Sequence, residues 1–519
     1  MRRLVLLLAA VLLLSGCDRL AEFAEPEDLD EEWENYQQFL PEEPPQEEPE
    51  EEEPDYPAAF SLPCHKNRTL DPVACGEGFQ ETVSSLLYEP LFRLDGQFQP
   101  EPVLCEDYEW NETGLVCTLT LREGVTFSND SALTARDVVE TLQRAVESER
   151  YAYRLRNIAA ITTNRSGQVL ITLIAPDRGL PALLDIPIIA RTTVNQLVPA
   201  GTGPYVFVHG DDGDFLQVRD DWWQQKPLPL DVIPLVHAKD QDTALYLFSG
   251  RHVEMLVVDP TDDPSLVSGQ SQASSQPTAV MQFIGFNTAE DRLFSNASLR
   301  ALFSRGIDRE TLVDVQMAKL ALAAQFPISP LSPLYPASLE TAYDEEETLA
   351  ALRSAGQDTG EKKGLTMLVS AGNSFRTSSA RFIAEKLSLL DWEITVAELP
   401  WEEYLAALEA GEFDLYFGEV RLTANWDISD LIGTEGLLNY GAYVNENTDI
   451  VLQSFAAAED RTEFAKRLCS HLQTVTPIAP ICFKNYSVLT HQGVVEGISP
   501  APSYTFRNFE GWTVHLNES

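Results

Sequence analysis

Positive charge is scarce in this chain. Only 36 Lys and Arg stand against 81 Asp and Glu in 519 residues, a formal net charge of −45. Nucleic-acid binding needs clustered Lys and Arg, so this balance excludes it. The acidic surface instead repels anionic lipid and cell-wall polymer and favours cationic ligands. Histidine is sparse as well. The 7 residues, scattered from His65 to His515, form no pair at helical ligand spacing, so neither a metal site nor another cofactor is expected. There is no Gly-x-Ser-x-Gly elbow, no His-Glu-x-x-His and no P-loop, and no enzymatic chemistry is expected. Beyond the first residues no apolar run is long enough to span a bilayer, which excludes an embedded body.

The N-terminus carries a different signal. Arg2 and Arg3 precede an unbroken apolar run from Leu4 to Leu14, closed by Leu14-Ser15-Gly16-Cys17. A charged start, a short apolar segment and a small-residue exit predict a secretory signal over 1–17 rather than a spanning helix. Leu-Ser-Gly-Cys resembles the bacterial lipobox, which implies lipidation of Cys17 and anchoring of the mature chain at the extracytoplasmic face of a membrane. Residues 18–57 hold 18 Asp or Glu and a single basic residue, Arg19, interleaved with prolines. Such a segment buries too little apolar surface to offset its ordering entropy, and its charges repel. An extended, disordered tether is expected.

From Ala58 onward the chain is long enough for two or three packed domains and carries a net charge of −30. Its six cysteines fall in three neighbouring pairs: Cys64 and Cys75, Cys105 and Cys117, Cys469 and Cys482. Six cysteines allow fifteen connectivities, and disulfides between sequence neighbours are the economical expectation for an exported chain. The first half reads as strand-rich, with alternating segments at 108–110 and 116–121 and a helix opening at Thr134. The second half alternates strands and helices, as at 365–369, 378–389, 394–399, 401–410 and 415–417. That spacing predicts an α/β fold with βαβ units and a largely parallel sheet.

Five ordered blocks carry a resemblance. They are Leu87-Tyr88-Glu89-Pro90-Leu91-Phe92; Thr118 to Phe127 leading into Leu133 to Val139; Gly201-Thr202-Gly203-Pro204-Tyr205; Phe286-Asn287 through Ile307-Asp308-Arg309; and Phe506 to Trp512. Over residues 60–515 these resemble the family 5 extracellular solute-binding proteins, the peptide- and nickel-binding components of ABC importers. The resemblance implies a bilobal, type II periplasmic-binding-protein-like α/β fold with mixed sheets and a third domain. Domain I would combine 58–94, 186–283 and 484–519, domain II would be 95–185, and domain III 284–483. Two chain crossings would form the hinge. It further implies a monomer without enzymatic activity that binds an oligo- or dipeptide between its lobes and delivers it to a membrane permease. The same fold also serves nickel chelates, haem and oligosaccharides, and a surface signalling receptor or chaperone is the reading from another class.

Peptide binders of this family pair the ligand's ammonium with a carboxylate of the third domain. The matching stretch here is Gly418 to Asp430, which departs from the family's Trp–Asp spacing. Asp427 is the first candidate and Asp430 the second, with a helix N-cap as the structural alternative for Asp430. Arg421 follows a predicted strand and would clamp a carboxylate or pair with Glu419. Trp426 would wall off the ligand or pack within its loop, and Tyr440 completes the candidate set.

Overall fold

The computed structural model describes residues 56–76, 78–261, 271–352, 363–388 and 392–517. The expected signal, Cys17 and nearly all of the tether lie outside these residues. Among the described residues no helix is long and apolar enough to cross a membrane.

The helix opening at Thr134 spans Ala135–Glu147. The Asp137 carboxylate accepts the Thr134 amide at 3.0 Å, a reciprocal cap that satisfies an otherwise orphaned donor. Val138, Leu142 and Ala145 then recur on one face and bury against an antiparallel sheet of Cys105–Trp110, Val116–Leu121, Val169–Leu173 and Ile158–Thr163. A second four-stranded sheet contains the hairpin Tyr205–Gly210 and Gly213–Val218, joined through Val232–His237 to Leu62–Cys64. The glycines before that hairpin are dictated by contact. A Cβ on Gly201 would lie 2.1 Å from the Leu87 carbonyl oxygen, and one on Gly203 would lie 2.5 Å from the Leu87 carbonyl carbon. The Gly203 amide meanwhile donates to that same carbonyl at 2.9 Å.

A third sheet of seven strands organises the rest. Its centre is two long antiparallel strands, Ser271–Phe286 and Ile478–His491. Residues 271–277 pair with 485–491 and neighbour Met255–Val258 through the second strand. Residues 280–286 instead carry Leu415–Arg421, Lys363–Ser370 and Trp392–Leu399 outward. The ladder is interrupted between Pro277 and Met281. Proline has no N–H to donate, and the Thr278 hydroxyl bridges the gap by donating to the Lys484 carbonyl at 2.6 Å.

Two expectations need correction. The sheet is mixed, as the resemblance implied and the βαβ spacing did not: among the described residues its parallel pairs are those Lys363–Ser370 makes with its two neighbours. Only these outer strands are linked through crossover helices, whereas the central strands run antiparallel. The neighbour disulfides are absent too, and all six cysteines are buried free thiols. Cys105 stands opposite Leu121, whereas Cys117 stands opposite Trp110. Four ladder steps offset the two backbone positions, about 13 Å at strand rise, and a disulfide spans Cα atoms no more than about 7 Å apart. Cys469 and Cys482 belong to different core clusters. Cys75 sits against the Arg150 guanidinium at 3.5 Å, while Cys64 packs in the core around Phe60. Burial pushes the Cys64, Cys105, Cys117 and Cys482 thiols up to about 12, so they behave as small apolar side chains.

Replacing Gly203 by Ala forces the hairpin away from Leu87. We expect a loss of about 1–3 kcal/mol, the usual range for overpacking, read as a lower urea midpoint at unchanged slope.

Candidate functional site

A cavity of about 640 Å³ opens where three stretches of the chain meet. The helix Phe79–Leu87 contributes Glu81 and Thr82, the segment after Glu147 contributes Arg150 and Arg154, and the end of strand Leu415–Arg421 contributes Arg421. Pro277 and Thr278, at the ladder interruption, form part of its wall. The volume lies within the usual range of small-molecule sites, about 300–1,000 Å³.

The charges on this wall are organised in pairs. Arg150 donates to Glu81 at 2.5 Å. Arg154 is joined to Asp185 and donates to the Leu183 carbonyl at 2.6 Å. Burial pulls the Arg154 guanidinium down to about 10, still leaving it charged at neutral pH. Arg421 donates to the Tyr486 hydroxyl at 2.8 Å and lies over its ring. Burial in turn raises the Tyr486 phenol, which stays neutral.

Behind the wall stands Lys484, on the strand Ile478–His491 and buried to 2 % side-chain exposure. Its ammonium meets Asp259 at 2.6 Å and Glu419 at 3.4 Å. Glu419 also accepts from Arg376 at 3.2 Å and from Gln282 at 2.8 Å. A buried ammonium is tolerated only with such partners, and this one ties Met255–Val258, through the adjoining Asp259, to Leu415–Arg421.

The five residues selected from sequence are placed as follows. Arg421 lines the cavity, with Tyr486 as its partner, whereas Glu419 joins the Lys484 cluster. Trp426 is 1 % exposed, wedged between Phe98 and Phe483 in a left-handed backbone conformation with φ 59°. Asp427 and Asp430 both face Arg156, Asp427 at 3.0 Å. Asp430 is not an N-cap, since its helix, Ser429–Ile432, begins one residue earlier. Tyr440 is half-buried with its ring edge-on to Tyr416. Among the described residues, the cavity wall contains neither aspartate, nor Trp426, nor Tyr440. Sequence reasoning missed Arg150, Arg154 and Lys484. The signals were present: a lone lysine directly after the apolar run Ile478 to Phe483, and two arginines at i, i+4 spacing in Arg150-Tyr151-Ala152-Tyr153-Arg154.

Comparison with known proteins gives a consistent picture. The model of the family described as bacterial extracellular solute-binding proteins, family 5 Middle, matches residues 99–432. The glutathione-binding protein GsiB of Salmonella typhi is 25% identical over 424 residues, covering 76% of this chain and 82% of that protein. The structure of HbpA2 from Haemophilus parasuis matches with a TM-score of 0.73 at 20% identity, covering 88% of this chain and 100% of that one. The oligopeptide-binding protein AppA from Bacillus subtilis, solved in complex with a nonapeptide, matches with a TM-score of 0.60 at 20% identity, covering 89% and 100%. At these identities the structural matches establish the fold.

Substituting Lys484 with Met leaves Glu419 and Asp259 facing each other without their cation. Breaking a buried ion pair from one side costs about 3–5 kcal/mol, and thermal unfolding of Lys484→Met should show a loss of that order. A change below about 1 kcal/mol would mean that the pair is solvated like a surface bridge.

Proposed function

The chain belongs to the family 5 bacterial extracellular solute-binding proteins, and on that premise we propose that it captures short peptides for an ABC importer. The solute would enter the cavity described above and be delivered to the importer's transmembrane permease. Lipid on Cys17 would hold the protein at the extracytoplasmic face of the cell membrane, with 18–57 as the spacer. Segments 58–94, 186–283 and 484–519 would form one lobe together with 95–185, and 284–483 the other. The long strands Ser271–Phe286 and Ile478–His491 pass between the two lobes, and the interruption at Pro277 is a natural place for bending.

The observation that carries the peptide reading is the paired charge on the cavity wall. Arg150 with Glu81 and Arg154 with Asp185 offer guanidinium and carboxylate groups side by side, and Arg421 adds a third guanidinium on the opposing segment. A zwitterionic peptide presents the complementary carboxylate and ammonium, so each of its charges exchanges water for a charged partner. The glutathione-binding relative and the nonapeptide-bound structure are consistent with solutes of this class. The family and its glutathione-binding relative support reading the protein as a carrier rather than an enzyme.

Native mass spectrometry of the exported protein tests the assignment. An adduct that fragments to amino-acid ions supports it, and Arg421→Ala should weaken retention by about tenfold to hundredfold, the equivalent of one charged hydrogen bond. An adduct of nickel chelate, haem or sugar would replace the peptide assignment while keeping the carrier role. Protein that ignores a peptide library would favour a signalling receptor or chaperone.

A further inference from the structure

Beside the cavity, segment 95–185 touches segment 284–483 in a set of direct polar contacts. Arg156 lies at its centre, its guanidinium over the Tyr153 ring. One nitrogen reaches Asp427 at 3.0 Å and the Ser429 hydroxyl at 3.1 Å, and the other bonds Asp430. Beside it the Asn425 amide donates to the buried Asp177 carboxylate at 2.8 Å, and the Arg178 amide donates to the Ala456 carbonyl at 2.8 Å. The fit is close. A Cβ on Gly179 would lie 2.6 Å from the Asn425 Cβ and 2.7 Å from an Arg461 guanidinium nitrogen.

These contacts form against long-range repulsion. Segment 95–185 has 8 Lys and Arg against 14 Asp and Glu, and segment 284–483 has 15 against 30. Two acidic surfaces approach only where a cation is interposed, and Arg156 is shared by two carboxylates of the other segment. The hydrogen bonds of Asp177 with Asn425 and of Arg178 with Ala456 then extend the seam beyond Arg156.

We propose that this seam is a clasp that holds the two lobes closed before any solute arrives, so that solute enters only when the Arg156 bridge opens. The clasp rests on the two-lobe reading above but not on the identity of the solute. Its function is kinetic as well as energetic: the population of open protein, and with it the rate of capture, is set by residues that the solute never touches.

Amide hydrogen exchange on the solute-free, full-length protein tests this directly. In wild type the Arg178 amide is protected by its bond to Ala456. In Arg156→Glu it should exchange about tenfold faster or more, together with the cavity segment 422–424, while the strands Val116–Leu121 and Leu415–Arg421 keep wild-type rates. Adding Asp427→Arg to Arg156→Glu should restore protection. Unchanged exchange at Arg178 would overturn the clasp. Faster exchange at Arg178 alone, with 422–424 unaffected, would reduce it to a local ion pair and count against two moving lobes. Should Arg156→Glu also loosen the strands, the milder Arg156→Gln decides by the same two readings. Failure to find a bound peptide would leave these outcomes intact and bear only on the solute.

Discussion

An ammonium with almost no access to water constrains everything around it. Lys484 sits on one of the two strands that pass through the middle of the large sheet, and its charge requires carboxylates from both directions. Asp259 comes from the turn after Met255–Val258 and Glu419 from the strand Leu415–Arg421. Satisfying one cation therefore fixes how two distant stretches meet, and Gln282 and Arg376 complete the shell around Glu419. The cavity wall is built on this arrangement. Arg421, two residues beyond Glu419, and Tyr486, two residues beyond Lys484, are carried into contact by the same pairing of strands.

The elements with strong local signals were legible in the sequence. Thr134 marked a helix start, and the strands at 116–121 and 415–417 alternated or ran apolar as expected. Strand direction was not legible, because a βαβ spacing describes the crossover between two strands and says nothing of a third that returns from far along the chain. The cysteines misled for a related reason. Sequence proximity is no guide to Cα distance once two residues lie at offset positions on a hairpin, as Cys105 and Cys117 do.

Of the five residues chosen from sequence, one, Arg421, lines the candidate cavity. Arg421 was recognisable because it follows the predicted strand 415–417, at the strand end where α/β folds present ligand-contacting loops. Asp427 and Asp430 were chosen from the stretch matching the family's Trp–Asp segment, to meet a ligand ammonium, yet the cation that meets them is Arg156, about 270 positions earlier. Trp426 has the opposite character. Its burial between Phe98 and Phe483 and its left-handed backbone show a residue that shapes the loop, turning Asn425 and Asp427 toward the neighbouring segment.

The six buried thiols have a consequence for how the chain must reach its native state. None is bonded in the folded protein, so oxidation contributes nothing to its stability, while every unfolded copy exposes six nucleophilic sulfurs. In an oxidising setting folding competes with thiol pairing, and any bridge formed early, Cys105 to Cys117 above all, would pull the strand register off the native one. In such a setting folding has to outpace thiol pairing, and once the core has closed, burial shields the thiols from oxidant.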